Sequence, residues 1–493
     1  NDFNKANVAH IAITADKDIG SGYYMLPAGT WRYQVCMNEA CHQIRSLDYR
    51  GHHQRAREYL RPFIELQGTR GLHGRFHSQE GVFHGLRVDD ETDYQMFNYN
   101  LDHGFVTFAL CEHYKFTRDA AWLRSIAPNL VAACDFVTRE RRSTMQTDPR
   151  GRKVWEYGLI PPGHLEDNPE WHYWYAVNAY CYRGMQAAAE ALADIDHPEA
   201  ERLARDASAY REDIRRSMRR GAELSPVTKL ADKTYTPFVP TRAQLRGRDL
   251  GWIRDSLYGP AHSVECGVFD PLEDICTWML RDLEDNVFVS RYRGRQVDLD
   301  RFRFSQGGNT IQSGLLPIAM IYLKRDQPEH AVRALFNSLG QNLYEDVRCF
   351  TEHPVAAFGL GAGPFYKTPD ESCWINWLRN CLLMETPDDG LILAPGMPRE
   401  WMKDGREVVL QEMATYYGPM SYRMRAERGR ITAVIEPPKR NPPAWLQIRF
   451  RHPERMPMKT VTVNGQPHPF DGEAVRFENA DDLPSRMEII ALY

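Results

Sequence analysis

The 493-residue sequence lacks the features that several large classes of protein require. No apolar run approaches the roughly 20 residues that cross a bilayer, so we expect no membrane segment. A formal net charge of −5 provides no basic field for nucleic acid. Neither a GxGxxG pattern after a strand nor a GxxxxGK[ST] loop occurs, and no histidine cluster has zinc-ligand spacing. We therefore expect no cofactor and no metal.

The ten cysteines form no CxxC pair and no dense framework, which argues against disulfides. Cys111, Cys181, Cys276 and Cys381 fall inside apolar helical stretches, where a free thiol packs as a small hydrophobic group. The sequence begins at Asn1 without a signal-like apolar region, which suggests that a leader or an upstream segment was removed. We expect a soluble protein, and the sequence leaves the compartment open between cytoplasmic and periplasmic or secreted.

Two kinds of helical segment alternate along most of the chain. One kind is apolar on nearly every face and predicts a buried position, whereas the other has a single apolar stripe and predicts an outer position. Six of each, in alternation, predict an (α/α)6 toroid. The predicted inner helices are 31–47, 96–115, 171–194, 249–262, 307–324 and 371–385. The predicted outer helices are 2–14, 52–66, 119–141, 197–219, 271–285 and 327–342.

The connections between these helices are long in one direction only. Most turns from an inner to an outer helix take about three or four residues, within the usual range of about 2–8, whereas the return connections are mostly much longer, as functional loops tend to be. In a toroid all the return connections emerge above the amino ends of the inner helices, so we expect the functional site at that end. The long connections are 67–95, 142–170, 220–248, 286–306 and 343–370.

The character of the sequence changes after Pro387. Alternating Val, Ile, Thr and Tyr with Gly, Pro and Asn breaks predict antiparallel strands, and Asn464–Gly465 predicts a hairpin turn. The predicted fold class is therefore mainly α, an (α/α)6 toroid with a small C-terminal antiparallel β-sandwich. We expect residues 1–387 to form the barrel domain and residues 388–493 the sandwich domain.

Four passages make this chain similar to a known class of enzymes. They are YYMLPAGTWRYQ, YNLDHGFVTFALCEHYKFTRDAAWL, the GLIPPG loop and the APGMPREW passage that leads into the sandwich. With the predicted toroid, they resemble the six-hairpin glycosidases, which include glucoamylases, trehalases and bacterial α-L-rhamnosidases. One departure is that the W-x-R-D type of signature on the first inner helices is replaced by TWRYQVCMNEACHQI, with Glu39 in place of the Asp.

The resemblance implies a catalytic acid in the loop before the third inner helix and a catalytic base in the loop before the sixth. Hydrolysis of a glycosidic bond needs one protonated and one ionised carboxyl group on either side of the bond. We choose Glu166 as the acid, because Leu165, Trp171 and Trp174 nearby would raise its pKa and retain the proton. The alternative is that Asp167 or its neighbour caps the helix while Glu166 is solvated.

We choose Glu352 as the base. Arg348 and His353 are placed to keep its carboxylate ionised, and the glycines of the same loop permit close approach of backbone and ligand. Glu371 is the alternative base. It lies in T-P-D-E-S, whose acidic residues are also typical of a helix start.

Further residues of the predicted mouth are candidates for binding sugar hydroxyl groups or stacking on sugar faces. Helical spacing places Asn98 and Asp102 on one face, and each tryptophan has core packing as its alternative role. The substrate-binding candidates are Asn98, Asp102, His103, Asp167, Trp171, Trp174, Trp252, Arg254, Gln306, Arg348, His353, Tyr366 and Lys367.

We predict a glycoside hydrolase that acts on an oligo- or polysaccharide, with exo action and inversion of configuration, and a carbohydrate as its binding partner. One alternative is a polysaccharide lyase on the same toroid, with Tyr366 and His353 as bases and Arg348 and Asn309 on the uronic acid group. The other is a non-catalytic carbohydrate-binding protein. The acids concentrated in two loops favour the hydrolase. Oligomeric state, sugar, linkage and anomer have no signal in the sequence.

Overall fold

A computed structural model describes residues 2–30, 34–86, 101–165, 168–248, 260–288, 316–355 and 360–493. Twelve α-helices lie in these ranges: α1 (Asp2–Thr14), α2 (Met37–Asp48), α3 (His53–Glu65), α4 (Leu101–Thr117), α5 (Ala120–Arg142), α6 (Tyr175–Ala193), α7 (Ala200–Leu224), α8 (Pro260–Glu265), α9 (Asp274–Asp282), α10 (Ile318–Lys324), α11 (Pro328–Asn342) and α12 (Thr368–Leu382). A π-helical turn, Leu283–Phe288, continues α9. No helix in these ranges combines the length and the apolarity that a bilayer crossing requires.

The strands fall into two groups. Those that belong to the barrel loops are β1 (Asp16–Lys17), β2 (Tyr24–Met25), β3 (Gly163–Leu165), β4 (Asn168–His172), β5 (Val227–Lys229), β6 (Tyr235–Pro237), β7 (Leu343–Tyr344), β8 (Cys349–Val355) and β9 (Leu360–Phe365). Those of the C-terminal part are β10 (Leu383–Glu385), β11 (Gly390–Leu393), β12 (Glu407–Met413), β13 (Met420–Glu427), β14 (Arg430–Glu436), β15 (Trp445–Arg449), β16 (Thr460–Val463), β17 (Gln466–Pro467), β18 (Ala474–Glu478) and β19 (Met487–Leu492).

The even-numbered helices form a closed inner ring. Each packs against the next, from α2 through α4, α6, α8 and α10 to α12, and α12 returns to α2. The odd-numbered helices pack outside them. The sequence explains the two layers, because α6 is buried on almost every face whereas α7 buries only a stripe that includes Leu203, Tyr210 and Ile214. The predicted (α/α)6 toroid is confirmed.

Loops meet at the amino ends of the inner helices, as their lengths predict. In the described parts, Arg75 donates its backbone N–H to Pro162 at 3.0 Å, which joins the loop after α3 to the loop after α5. Tyr175 donates to the Thr241 carbonyl at 3.1 Å, which joins the start of α6 to the loop after α7. β7, β8 and β9 form a small sheet before α12. These connections build one wall around the mouth of the barrel.

The opposite end of the barrel is closed by buried ion pairs and by the sandwich. Arg45 of α2 contacts Glu112 of α4 at 2.5 Å, and Lys324 of α10 contacts Glu265 of α8 at 2.8 Å. Tyr416, in the loop between β12 and β13, donates its hydroxyl to Glu112 at 2.7 Å. A loop of the C-terminal part therefore closes this end of the toroid, which we call the floor.

The C-terminal part has its own apolar core between two sheets. One sheet has the order β10-β11-β15-β18 and the other β12-β13-β14-β19-β16-β17. Pairing is antiparallel except between β11 and β15, which are parallel. Between these two strands the chain forms β12, β13 and β14 of the other sheet. Asn464 and Gly465, both at positive φ, form the predicted hairpin turn between β16 and β17.

Several helix boundaries differ from the prediction: α2 begins at Met37 rather than at 31, α6 begins at Tyr175 rather than at 171, and α7 ends at Leu224 rather than at 219. The last inner helix was predicted to reach residue 385, but α12 ends at Leu382 and β10 starts at Leu383. β10 pairs with β11, so the chain enters the sheet slightly before residue 388. The division into domains 1–387 and 388–493 remains our proposal.

The crossing of α4 and α6 yields a stability prediction. A Cβ atom at Gly104 would lie 2.3 Å from the backbone nitrogen of Cys181, so Gly104→Ala forces the two inner helices apart. We expect a loss of about 1–3 kcal/mol or more in the free energy of unfolding. Gly340→Ala in α11 is the matched control, because no heavy atom lies within 4 Å of its Cβ position. It should gain up to about 0.5–1 kcal/mol. Urea unfolding followed by circular dichroism measures both, and equal effects would contradict the close crossing.

Candidate active site

A buried lysine and carboxylates from three elements meet where α2 and α12 begin. The Lys367 ammonium lies 2.7 Å from a carboxylate oxygen of Glu39, in the first turn of α2, and 3.2 Å from one of Glu352, on β8. Asp370, in the first turn of α12, adds a third carboxylate nearby. The side chain of Lys367 is 2% exposed, whereas those of Glu39 and Glu352 are 16% and 11% exposed. The carboxylates therefore border the mouth more than the lysine does.

Electrostatics keep this lysine charged. Burial by itself lowers the pKa of Lys367, but the carboxylates of Glu39, Glu352 and Asp370 outweigh burial and hold the pKa well above its ordinary value. One ammonium thus faces three acidic groups. Counted over the described residues, the cluster holds more carboxylates than cations, which suits a site that accepts hydrogen bonds or protons.

The backbone between β9 and α12 sets the position of the lysine. Tyr366 has a φ of 55°, in the left-handed region, and this turns the chain out of the sheet. Lys367 then donates its backbone N–H to Phe350 on β8 at 3.1 Å. Pro369 follows at the start of the helix, where its missing N–H has no consequence. The Tyr366 ring packs edge-on against His10 at 4.8 Å, so this substrate-binding candidate has an internal partner.

The two candidate bases have different surroundings. Glu371 is fully buried between α1, α12 and β8. It lies 2.9 Å from Nδ1 of His10, and it accepts hydrogen bonds from the Asn7 amide at 3.2 Å and from the Phe350 N–H at 3.0 Å. The contacts with Asn7 and His10 fasten the outer helix α1 to the ring, and the contact with Phe350 fastens β8. The structure thus gives Glu371 a structural set of partners and leaves Glu352 at the mouth.

The candidate tryptophans of β4 and α6 also differ from each other. Trp174 is 1% exposed, and its indole N–H donates to the Gly163 carbonyl at 3.1 Å, so it packs in the core and presents no face for stacking. Trp171 is 45% exposed at the rim, with its ring 6.5 Å from that of His73. Only the second of these two has a surface available to a sugar.

His103 is a core residue rather than a binding residue. Its Nδ1 accepts the Phe83 N–H at 3.0 Å, and its Nε2 lies 3.1 Å from the Ala133 carbonyl. Burial lowers its pKa to about 4, so the ring is neutral at physiological pH. The sequence predicted a position at the mouth because the neighbouring residues are polar. In the structure, the His103 side chain lies on the face of α4 that packs in the barrel wall.

The remaining candidates differ in how much of each residue the structure describes. Arg348 is exposed at the β7–β8 turn and lies 3.6 Å from Asp2, so the cation found beside Glu352 is Lys367. Asp102 lies in α4 and His353 in β8, with side chains outside the described part of the structure. The candidates that lie entirely outside the described residues are Glu166, Asp167, Asn98, Trp252, Arg254 and Gln306.

Two features of the site were missed from the sequence. Glu39 was noted only as a departure from a signature, and Lys367 was assigned to the substrate rather than to neighbouring carboxylates. The available signal was that both precede or begin an inner helix, so that both side chains sit at the same end of the toroid. Their contact required knowing that α2 and α12 are neighbours.

A small polar cavity lies deeper in the ring, below this cluster. Its polar lining includes His42, Arg45, Tyr180, Glu265, Asn376 and Asn380. Burial, together with Arg45, lowers the pKa of His42 to about 3, so its ring is neutral. The cavity therefore separates the carboxylates at the mouth from the ion pairs of the floor.

Comparisons with known proteins identify the fold. No protein-family model and no curated protein sequence matches the chain. An α-L-rhamnosidase from Dictyoglumus thermophilum superposes with a TM-score of 0.55 at 8% identity, over 100% of this chain and 50% of that one. An α-L-rhamnosidase from Streptomyces avermitilis, in complex with L-rhamnose, gives a TM-score of 0.54 at 11% identity, over 100% of this chain and 41% of that one.

This chain shares the fold of these two α-L-rhamnosidase structures. The predicted resemblance is confirmed at the level of architecture, including the C-terminal part, because the whole chain is covered. The chain spans half the length of the first rhamnosidase and less than half of the second. Since a fold supports more than one reaction, the activity must be argued from the site.

The contrast between Glu371 and Glu352 gives a second prediction. Glu371→Ala removes the acceptor of the buried Phe350 N–H and one of the two acceptors of the Asn7 amide, so we expect a loss of at least about 2 kcal/mol in the free energy of unfolding. Glu201→Ala, an exposed change on α7, is the control and should stay within about 0.5 kcal/mol. Denaturant midpoints measure both. A Glu371→Ala protein as stable as the control would contradict the structural role.

Proposed function

We propose that the protein is a glycoside hydrolase in which Glu352 is the general base. The observation that carries the proposal is the contact between Glu352 and the buried Lys367 ammonium at the loop end of the toroid. A carboxylate next to a fixed cation stays ionised and can accept a proton from water. The shared architecture with two α-L-rhamnosidases supports this reaction class and makes α-L-rhamnosides the first substrates to test.

We propose Glu166 as the acid that protonates the leaving oxygen. It follows Leu165 and precedes Asn168, which pair with each other in the β3–β4 hairpin. The same hairpin is fixed to the mouth, since His164 donates its N–H to the His73 carbonyl at 2.9 Å. Acid and base would then come from different loops of one wall. With inversion, the two carboxyl groups should lie about 6.5–9.5 Å apart, with a water on the Glu352 side.

The closed floor supports exo action. Buried pairs such as Arg45–Glu112, together with Tyr416, fill the end of the barrel away from the loops. A sugar chain entering at the mouth cannot pass through, so its terminal residue would reach the carboxylates first. We therefore propose cleavage of a terminal sugar residue.

The cluster disfavours the lyase alternative. A lyase must hold a uronic carboxylate, which a cation such as Arg348 or an amide such as that of Asn309 would do. Lys367 already faces Glu39, Glu352 and Asp370, which would repel a further carboxylate. A neutral sugar, whose hydroxyl groups donate hydrogen bonds to carboxylates, fits these charges better. A purely binding protein would have no need for a buried carboxylate held next to a cation at its mouth.

Two glutamine variants test the assignment. Glu352→Gln and Glu166→Gln should each lower turnover on the natural linkage by about 10²–10⁴-fold, because each removes a proton transfer while keeping the shape. An activated aryl glycoside, whose departure needs little protonation, should partly restore Glu166→Gln and not Glu352→Gln. Initial rates on a panel of aryl and natural glycosides measure this. Glu427→Gln, on β13 of the sandwich, is the control and should stay within a few-fold of the parent.

The configuration of the product decides between mechanisms. Proton nuclear magnetic resonance of the first-formed sugar should show the inverted anomer. A retained anomer would overturn the inverting assignment, and near-normal turnover in both glutamine variants would overturn the choice of residues.

A further inference from the structure

We propose that Lys367 is a positioning residue of the site: its ammonium bridges Glu39 and Glu352, holds the base in place and keeps it ionised. This inference rests on the proposed role of Glu352 and adds a residue that acts through it. The two contacts, at 2.7 and 3.2 Å, join α2, β8 and the start of α12 through one side chain.

The lysine is fixed at both ends. Its backbone N–H is bonded to the Phe350 carbonyl of β8, and its ammonium is held between two carboxylates. Its side chain is almost fully buried, so water cannot take the place of either contact. Because this side chain contacts both α2 and β8, the way in which α2 packs against α12 sets the position of the Glu352 carboxylate. Its burial and existing partners also leave it poorly placed to bind a substrate, which was its predicted role.

Lys367 also separates like charges. One oxygen of Glu39 and one of Glu352 contact the same Lys367 ammonium, so these two oxygens lie close to each other. Without the cation, these two carboxylates and Asp370 would repel one another, and one of them would take up a proton at a higher pH. If Glu352 takes it, the base is lost.

Other charged groups around the cluster do not replace the lysine in the described structure. His10 of α1 is engaged with Glu371 at 2.9 Å. His42, deeper on α2, is neutral because its pKa is about 3. Arg45, two turns further in on α2, is paired with Glu112 at 2.5 Å. Among the described residues, Lys367 is thus a group through which a change in charge would reach Glu352.

The test compares the pH dependence of kcat/KM in charge variants. Lys367→Met keeps the length of the side chain and removes the charge, so the acidic limb, where the base becomes protonated, should move up by about one pH unit or more. At the pH of the acidic limb of the parent enzyme, turnover should fall by at least about 10-fold, with a smaller change in KM. Lys367→Arg keeps the charge and should leave the limb near its parent position, even where altered geometry lowers kcat.

A double variant guards against misfolding. Glu39→Gln removes one of the repelling carboxylates, so the combination of Glu39→Gln with Lys367→Met should regain stability and move the acidic limb back down relative to Lys367→Met alone. Lys324→Met is the matched control, since Lys324 makes a similar contact with Glu265 at 2.8 Å on the floor of the barrel. It should lower stability without moving the limb.

Two results separate this inference from the proposed function. An active parent enzyme whose acidic limb is unmoved in Lys367→Met would overturn the positioning role and leave the hydrolase in place. A parent that hydrolyses no glycoside would overturn the proposed function. The pKa comparison would then be made by difference infrared titration of carboxyl groups in the parent, Glu352→Gln and Lys367→Met proteins. An unshifted Glu352 signal there would overturn the inference as well.

Discussion

The structure depends on one long-range constraint, the packing of the first inner helix, α2, against the last, α12. Closure places the amino ends of these helices side by side, and the contact between Glu39 and Lys367 forms across that junction. A buried ion pair adds little net stability over an apolar contact, although loss of one partner is strongly destabilising. We infer that this pair specifies the register in which the ring closes. The candidate site is therefore a consequence of closure rather than of any local motif.

The two ends of the toroid use charge in different ways. At the floor, Arg45, Glu112 and Tyr416 satisfy one another, and aromatic packing between Phe116 and Tyr416 joins barrel to sandwich. At the mouth, one ammonium faces several carboxylates. The sandwich closes the far end of the barrel, and we propose that it supplies no reacting group.

Much of the fold could be predicted from the sequence, because it is encoded locally. The apolar faces of α6 and the single stripe of α7 distinguish inner from outer helices, and the unequal connections identify the functional end. Pairwise contacts within the site could not be predicted. Trp174 and Trp171 are both aromatic residues near the start of α6, but one is buried and the other exposed. The difference depends on how the chain turns from β4 into α6. The spacing of apolar residues in the sequence does not indicate this turn.

The two candidate bases show what decides between similar carboxylates. Glu352 and Glu371 both lie near the closure of the ring, and local sequence favoured neither strongly. Glu371 accepts bonds from Asn7 and Phe350 and lies against His10, so its oxygens are used in holding α1. Glu352 contacts a cation and retains some exposure at the mouth. A base must keep a lone pair available to water as well as its charge. By that criterion, the partners of Glu371 favour a structural role for it, and the exposure of Glu352 at the mouth supports our proposal that Glu352 is the base.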